Sequence, residues 1–255
     1  MTRHPDMAFR LLMLWYFAID VYNRNQMSER YNPGIAILVS GNGSTAEAFI
    51  HATQDGRVAA EVGLVICNNP PDKAGIYGRI ERLNKQYGLE IEAVEISGKT
   101  HPDGDVGRGQ TLAEATAIAE RVDRSGFAHV ACMGYMKMIR GDLLDEYGWL
   151  PHFSSIYQAR MSNTHPGPLP ETKDTYGIHT SERVLELGLA ESKHTVHLVA
   201  SGIDRGPKIA EHPVEILPDD SPQDVFDRVQ IVEKVALPYV LDRFLKEQET
   251  YHGNS

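Results

Sequence analysis

Four groups of residues have types and spacings that chemistry could use. In Asn163-Thr-His-Pro-Gly-Pro-Leu-Pro170 an amide and an imidazole stand two residues apart, so on an extended segment they project from the same side. The prolines and the glycine around them predict a rigid loop, a good mount for both groups. An amide donor beside an imidazole can polarise a carbonyl and hold a tetrahedral oxyanion; the plainer alternative is a structural loop with an exposed histidine. Gly41-Asn-Gly-Ser44 joins an apolar run to a helix. Its N–H groups and the Ser44 hydroxyl can cradle a small phosphate monoester, or it is simply a tight turn. It lacks the third glycine of a dinucleotide fingerprint and the Gly-Lys-Ser/Thr of a P-loop. Asp204, in Ser201-Gly-Ile-Asp-Arg-Gly206, could orient an imidazole and raise its pKa, or serve only as a turn residue. Glu233 follows Phe226 and Val229 at helical spacing on an apolar stripe. A carboxylate there needs a partner, either a structural ion pair or a substrate cation.

Other chemistries drop away. His194 and His197 lie three apart on a predicted strand and face opposite ways, which argues against a shared metal. There is no HExxH, no Cys-His cluster and no G-x-S-x-G elbow, so no metal is expected and serine catalysis is disfavoured. Cys67 and Cys132 are the only cysteines; isolated in apolar runs, they suit a reducing cytoplasmic setting. With 25 Lys and Arg against 35 Asp and Glu, the formal charge is −10. That balance gives no attraction for nucleic acid or an anionic membrane surface.

The scaffold that must position these residues reads as alternating strands and helices. Ile35–Val39 is a continuous apolar run, expected to be a buried parallel strand. A helix over Thr45–Asp55 follows, then a strand at Val62–Cys67, a helix near Ala74–Tyr87 stopped by Gly88, and a strand at Ile91–Ile96. After a loop over Ser97–Gln110, Thr111 and Glu114 have capping-box spacing and open a helix to about Arg124. Ala128–Met133 is the next strand. Thr195–Val199 and Lys208–Ile216 alternate apolar with polar, as half-buried strands do, and Ser221-Pro222 opens a long helix to about Lys246. The order implies a doubly wound, mostly parallel α/β sheet. Residues 34–255 read as one domain and residues 1–33 as an N-terminal helical extension. Its apolar run Leu11–Ile19 is too short to span a bilayer, and Met27 is an alternative start.

Taken in order, several stretches resemble the phosphoribosylglycinamide formyltransferase family, the folate-dependent transformylases of purine synthesis. They are Leu38-Val-Ser-Gly-Asn-Gly-Ser44, Met133-Gly-Tyr-Met136, Asn163-Thr-His-Pro166 with Leu169-Pro170, Gly177-Ile-His179, Thr195-Val-His-Leu-Val199, Ile203-Asp-Arg-Gly-Pro207, and Arg228-Val-Gln230 with Glu233. The resemblance implies a Rossmann-like formyltransferase core and transfer of a formyl group from 10-formyltetrahydrofolate, as co-substrate, to the amine of glycinamide ribonucleotide. It makes Asn163, His165 and Asp204 the catalytic trio, with Asp204 keeping His165 protonated. Gly43, Ser44 and Thr45 would hold the phosphate, and the Met136 carbonyl and Glu233 the amine. The folate would lie against Met136, Lys137, Met138, Ile139, Asn163 and the loop Ala200, Ser201, Gly202, Ile203, Asp204, with Arg108 helping to bind it.

Departures from the family pattern are Thr45 for Asn, Gly167 for Ser, Lys137 for Arg, and longer segments at 97–110 and 148–162. Partners are therefore expected to be small molecules; the oligomeric state is not legible. The alternatives are a related formyltransferase acting on another small amine such as an amino sugar, or a homologue that binds without catalysis. Formyltetrahydrofolate hydrolases carry an N-terminal regulatory domain and the methionyl-tRNA and amino-sugar enzymes a C-terminal one; the flanks here are expected to be too short for either. An intact trio argues against lost catalysis.

Overall fold

Side chains that are apolar on both faces of a strand need cover on both faces, and Ile35–Val39 obtains it by lying near the middle of the sheet, fully buried. The computed structural model describes residues 33–104 and 109–253. The expected extension, the alternative start at Met27 and Arg108 lie outside the described residues. A seven-stranded sheet has the order β3-β2-β1-β4-β5-β6-β7, from β1 (Gly34–Val39), β2 (Glu61–Cys67), β3 (Glu92–Glu95), β4 (His129–Cys132), β5 (Met161–His165), β6 (Glu191–Leu198) and β7 (Lys208–Glu215). The first five strands are parallel, and β5–β6 and β6–β7 are antiparallel. The helices are α1 (Ser44–Gln54), α2 (Ile76–Tyr87), α3 (Leu112–Ser125), α4 (Gly141–Tyr147), α5 (Ile178–Glu186) and α6 (Pro222–Gly253). Among the described residues no helix is long and apolar enough to cross a membrane.

Local sequence explains several helix ends. Gly43 precedes α1 with φ 69°, and Gly88 closes α2 with φ 68°, a left-handed conformation that favours glycine. The capping box forms as expected: the Thr111 hydroxyl accepts from the Glu114 N–H, and the Glu114 carboxylate accepts from the Thr111 N–H. One apolar layer beneath the sheet joins Leu38, Ile66, Ile118, Val122, Leu143 and Tyr147.

Four elements depart from the expectations. Met161–His165 is a strand, not a loop. Its polar sequence shows no β pattern, but β4 on one side and β6 on the other supply the ladder, so tertiary pairing overrides propensity. Helices α4 and α5 are short, and neither had a clear periodic signal. The last helix also runs beyond Lys246 to Gly253. It is held there by the long segment before β5: Gln248 Nε2 donates to the Tyr157 and Ala159 carbonyls at 2.9 and 2.8 Å, and Tyr157 Oη donates to Glu247 at 2.5 Å.

Candidate active site

The chain leaves β1 for β2 on one side and later returns to β4 on the other, so the crevice opens at this topological switch point, where open α/β sheets bind ligands. A cavity of about 660 Å³ lies there, within the usual range for a small-molecule site. Its walls come from the β1–α1 turn, the segment after β4, the end of β5, the loop after β6, and α6. Gly43, Ser44, Thr45, Met136, Lys137, Met138, Ile139, Asn163, His165, Ala200, Gly202, Ile203, Asp204 and Glu233 all line it. Ser201 does not; it is exposed.

Strand β5 divides the site by alternation. Asn163 and His165 point to one face and Thr164 to the other. On the first face, β6 places His197 directly opposite Asn163, and the loop after β6 brings Asp204 against both imidazoles. Asp204 Oδ2 is 3.5 Å from His165 Nδ1, and Oδ1 is 3.4 Å from His197 Nε2. Burial alone would raise the Asp204 carboxyl. The neighbouring His197 and His165 imidazoles and the Asp174 backbone N–H outweigh it and hold the pKa below the usual range. Asp204 sits at φ 53° and Asp174 at φ 67°, the two left-handed non-glycine residues among those described.

The expectation that Asp204 keeps His165 protonated is reversed. His165 is 3% exposed, and burial pushes its pKa down to about 4, with the Asp204 charge opposing. At that value the ring is neutral at physiological pH. His197 has a fixed proton, because Nδ1 donates to the Leu198 carbonyl at 2.8 Å. Its Nε2 therefore accepts from Asn163 Nδ2 at 3.1 Å, which leaves the second Asn163 N–H for an oxygen in the cavity. His197 has no role in the sequence-based assignment. The alternation in Thr195-Val-His-Leu-Val199 puts it on the Thr195 face, but its meeting with Asn163 depends on the β5–β6 register.

On the other face, the Thr164 hydroxyl donates to Glu233 Oε1 at 2.8 Å and accepts from His194 Nε2 at 2.7 Å. Burial raises the Glu233 pKa, opposed by hydrogen bonds from Thr164 and Thr45. The Thr45 hydroxyl thus serves Glu233, and for the expected phosphate Thr45 has only its backbone N–H to offer. The cradle is the left-handed Gly43 and the first turn of α1, whose N–H groups lack helical partners. Lys137 pairs its ammonium with the fully buried Glu114 at 2.5 Å, so its charge is already neutralised inside the protein. Among the described residues no group of His, Cys, Asp and Glu could hold a metal.

Residues 34–241 match the formyl transferase family. The chain belongs to that family. The match covers all seven strands and every candidate residue from Gly43 to Glu233. Within the formyl transferases, the chain is 28% identical over 221 residues to the phosphoribosylglycinamide formyltransferase of Escherichia coli (strain K12), covering 87% of this chain and 91% of that one. It is 31% identical over 228 residues to the trifunctional purine biosynthetic protein adenosine-3 of Drosophila pseudoobscura pseudoobscura; the match takes in 88% of this chain and only 15% of that much longer protein. The crystal structure of phosphoribosylglycinamide formyltransferase from Bacillus halodurans superposes with a TM-score of 0.68 at 27% identity, covering 83% of this chain and 95% of that chain. Glycinamide ribonucleotide transformylase 1 from Symbiobacterium toebii gives 0.70 at 26% identity, covering 86% and 90%.

Proposed function

We propose that this chain transfers the formyl group of 10-formyltetrahydrofolate to the amine of glycinamide ribonucleotide, a step of de novo purine (IMP) synthesis, in the cytoplasm. The observation that carries the reading is that Asn163, His165 and Asp204, brought together from β5 and the loop after β6, share one cavity with the amide cradle of α1. Phosphate at the cradle places a ribosyl amine deeper in the crevice. There Glu233 and the Met136 carbonyl can accept its N–H groups.

The amine nitrogen attacks the formyl carbon, and the carbonyl electron pair moves onto oxygen. The free N–H of Asn163 donates to that oxyanion. The new C–N bond leaves a surplus proton on the amine. The neutral His165 imidazole can take it, and Asp204 stabilises the imidazolium so formed. The same proton then passes to the departing folate nitrogen as its bond to the formyl carbon breaks, releasing tetrahydrofolate and the formylated amide. A base with a depressed pKa is ready to accept a proton without first losing one.

The test supplies purified protein with 10-formyltetrahydrofolate and, separately, glycinamide ribonucleotide or a phosphorylated amino sugar, and follows tetrahydrofolate release. Turnover with the ribonucleotide far above the sugar is expected. Preference for the sugar, or no turnover with either, would overturn the assignment.

A further inference from the structure

We propose that Thr172 is a positioning residue for His165: its buried hydroxyl holds the imidazole Nε2–H and so decides which ring nitrogen carries the resting proton. The inference rests on reading His165 as the catalytic imidazole. Thr172 is not among the residues lining the cavity; it lies behind the ring and acts through it.

The hydrogen bonds dictate the proton's place. Thr172 Oγ1 is 2.9 Å from His165 Nε2, and Thr172 is 0% exposed. The hydroxyl's one proton is already committed, donated to the Pro168 carbonyl at 2.6 Å. Toward His165 the oxygen can therefore only accept, and Nε2 must carry the hydrogen. Nδ1 is left as a lone pair facing Asp204 at 3.5 Å. A proton arriving at Nδ1 gives an imidazolium with one N–H on Thr172 and the other on a carboxylate. The titratable groups facing the ring are Asp204 from the loop and His197 from β6, and a hydrogen bond to the Thr172 backbone favours the charged ring; His194, also on β6, faces the opposite side of the sheet and interacts with His165 electrostatically.

The same loop secures the rest of the trio. Two residues on, the Asp174 N–H binds Asp204, and Thr175 Oγ1 donates to the Thr172 carbonyl at 2.5 Å. Gly167 makes room for this arrangement. A Cβ at that position would lie 2.5 Å from Thr172 Oγ1 and 2.3 Å from Thr180 Cγ2, closer than real contacts allow. Glycine after His-Pro and threonine at 172 are thus two parts of one device.

Thr172→Val removes the hydroxyl at constant volume, and Thr172→Ser keeps it. Both are compared with the unaltered chain and His165→Ala, by kcat and KM for each substrate and by nitrogen-15 NMR of the histidine rings, where the signals missing in His165→Ala identify His165. Thr172→Val should lower kcat by about thirtyfold, inside the hundredfold that misplacing a reacting group can cost, with both KM values nearly unchanged. It should shift the His165 resonances away from the Nε2–H pattern and move its ionisation to lower pH, because an acceptor for the charged ring is lost. Thr172→Ser should restore both, and Gly167→Ala should reproduce the valine defect. A folded Thr172→Val protein with unaltered His165 resonances overturns the proposal, as does one that loses only thermal stability. If His165→Ala itself keeps its turnover, the catalytic reading fails, while the ring resonances still decide whether Thr172 sets the proton.

Discussion

Strands β1 and β2 bury only apolar side chains, Ile35–Val39, Val62 and Leu64–Cys67, whereas β4, β5 and β6 bury His129, Ser162, Thr164, His165, His194 and His197. The two halves of one sheet do different work. The first half ends in a turn whose main-chain N–H groups are proposed to hold phosphate, and any well-packed apolar strand could support such a turn. The second half carries polar side chains that must meet partners across strands, because a buried polar group without one is costly. On the proposed function, binding on the first side depends on backbone shape and chemistry on the second on side-chain identity.

Side-chain deletion in the second half should cause the largest loss. His165→Ala and Asp204→Ala are each expected to lower turnover by roughly two to four orders of magnitude, as for lost acid–base and oxyanion roles. The double variant should lose little more, because the pair acts as a unit. Near-normal turnover in folded His165→Ala would remove the distinction between the halves altogether.

A backbone change in the first half should act on binding. Gly43→Ala needs φ 69° and sets its Cβ 2.3 Å from Ile76 Cδ1, so the cradle must shift. The KM for the ribonucleotide should rise by about tenfold, the worth of about 1.4 kcal/mol, with the folate KM nearly constant. Equal effects on both substrates would reduce the turn to a structural feature.

The smallest effect is on stability, and it too belongs to the second half. Burial pushes His129 and His194 down to about 3 and His165 to about 4. Each has a folded pKa below its unfolded value, so the unfolded chain binds more protons through this window. The stability these rings contribute is complete above about pH 6.5 and is lost as pH falls toward 4. Each adds a slope of at most about 1.4 kcal/mol per pH unit, and Glu233, raised by burial, partly offsets them in the carboxylate range. Urea unfolding at pH 7, 6 and 5 measures the slope. His129→Gln, which cannot titrate there, should flatten it by one proton, and an unchanged slope would show that His129 is not among the groups responsible.

The same division explains what could be read from sequence. Ile35–Val39, Val62–Cys67 and the Thr111–Glu114 capping box announce themselves because their signals are local: an apolar run, a glycine, a three-residue spacing. Strand β5 did not, since Met-Ser-Asn-Thr-His becomes a strand only between its neighbours. Asn163, His165, Asp204 and Glu233 were legible as chemistry-bearing types, helped by the family resemblance. The partnerships of His197 with Asn163 and of Thr164 with His194 and Glu233 depend on register. The protonation of His165 was misjudged because a sequence displays the carboxylate but not the depth of burial that outweighs it.

The left-handed backbone at Asp174 and Asp204 has a consequence for attempts to harden the protein against heat. Left-handed non-glycine residues are sparsely populated because the Cβ crowds the backbone, and these two are joined by a hydrogen bond beside the reacting groups. Selection for a higher melting temperature should therefore favour Asp174→Gly or Asp204→Gly, since glycine relieves the crowding and the second change also removes a buried charge. The Asp204 substitution would be recovered as a robust but inert protein. On the proposed mechanism robustness and turnover compete at Asp204, where the native sequence keeps a carboxylate on a left-handed backbone that glycine would adopt with less strain.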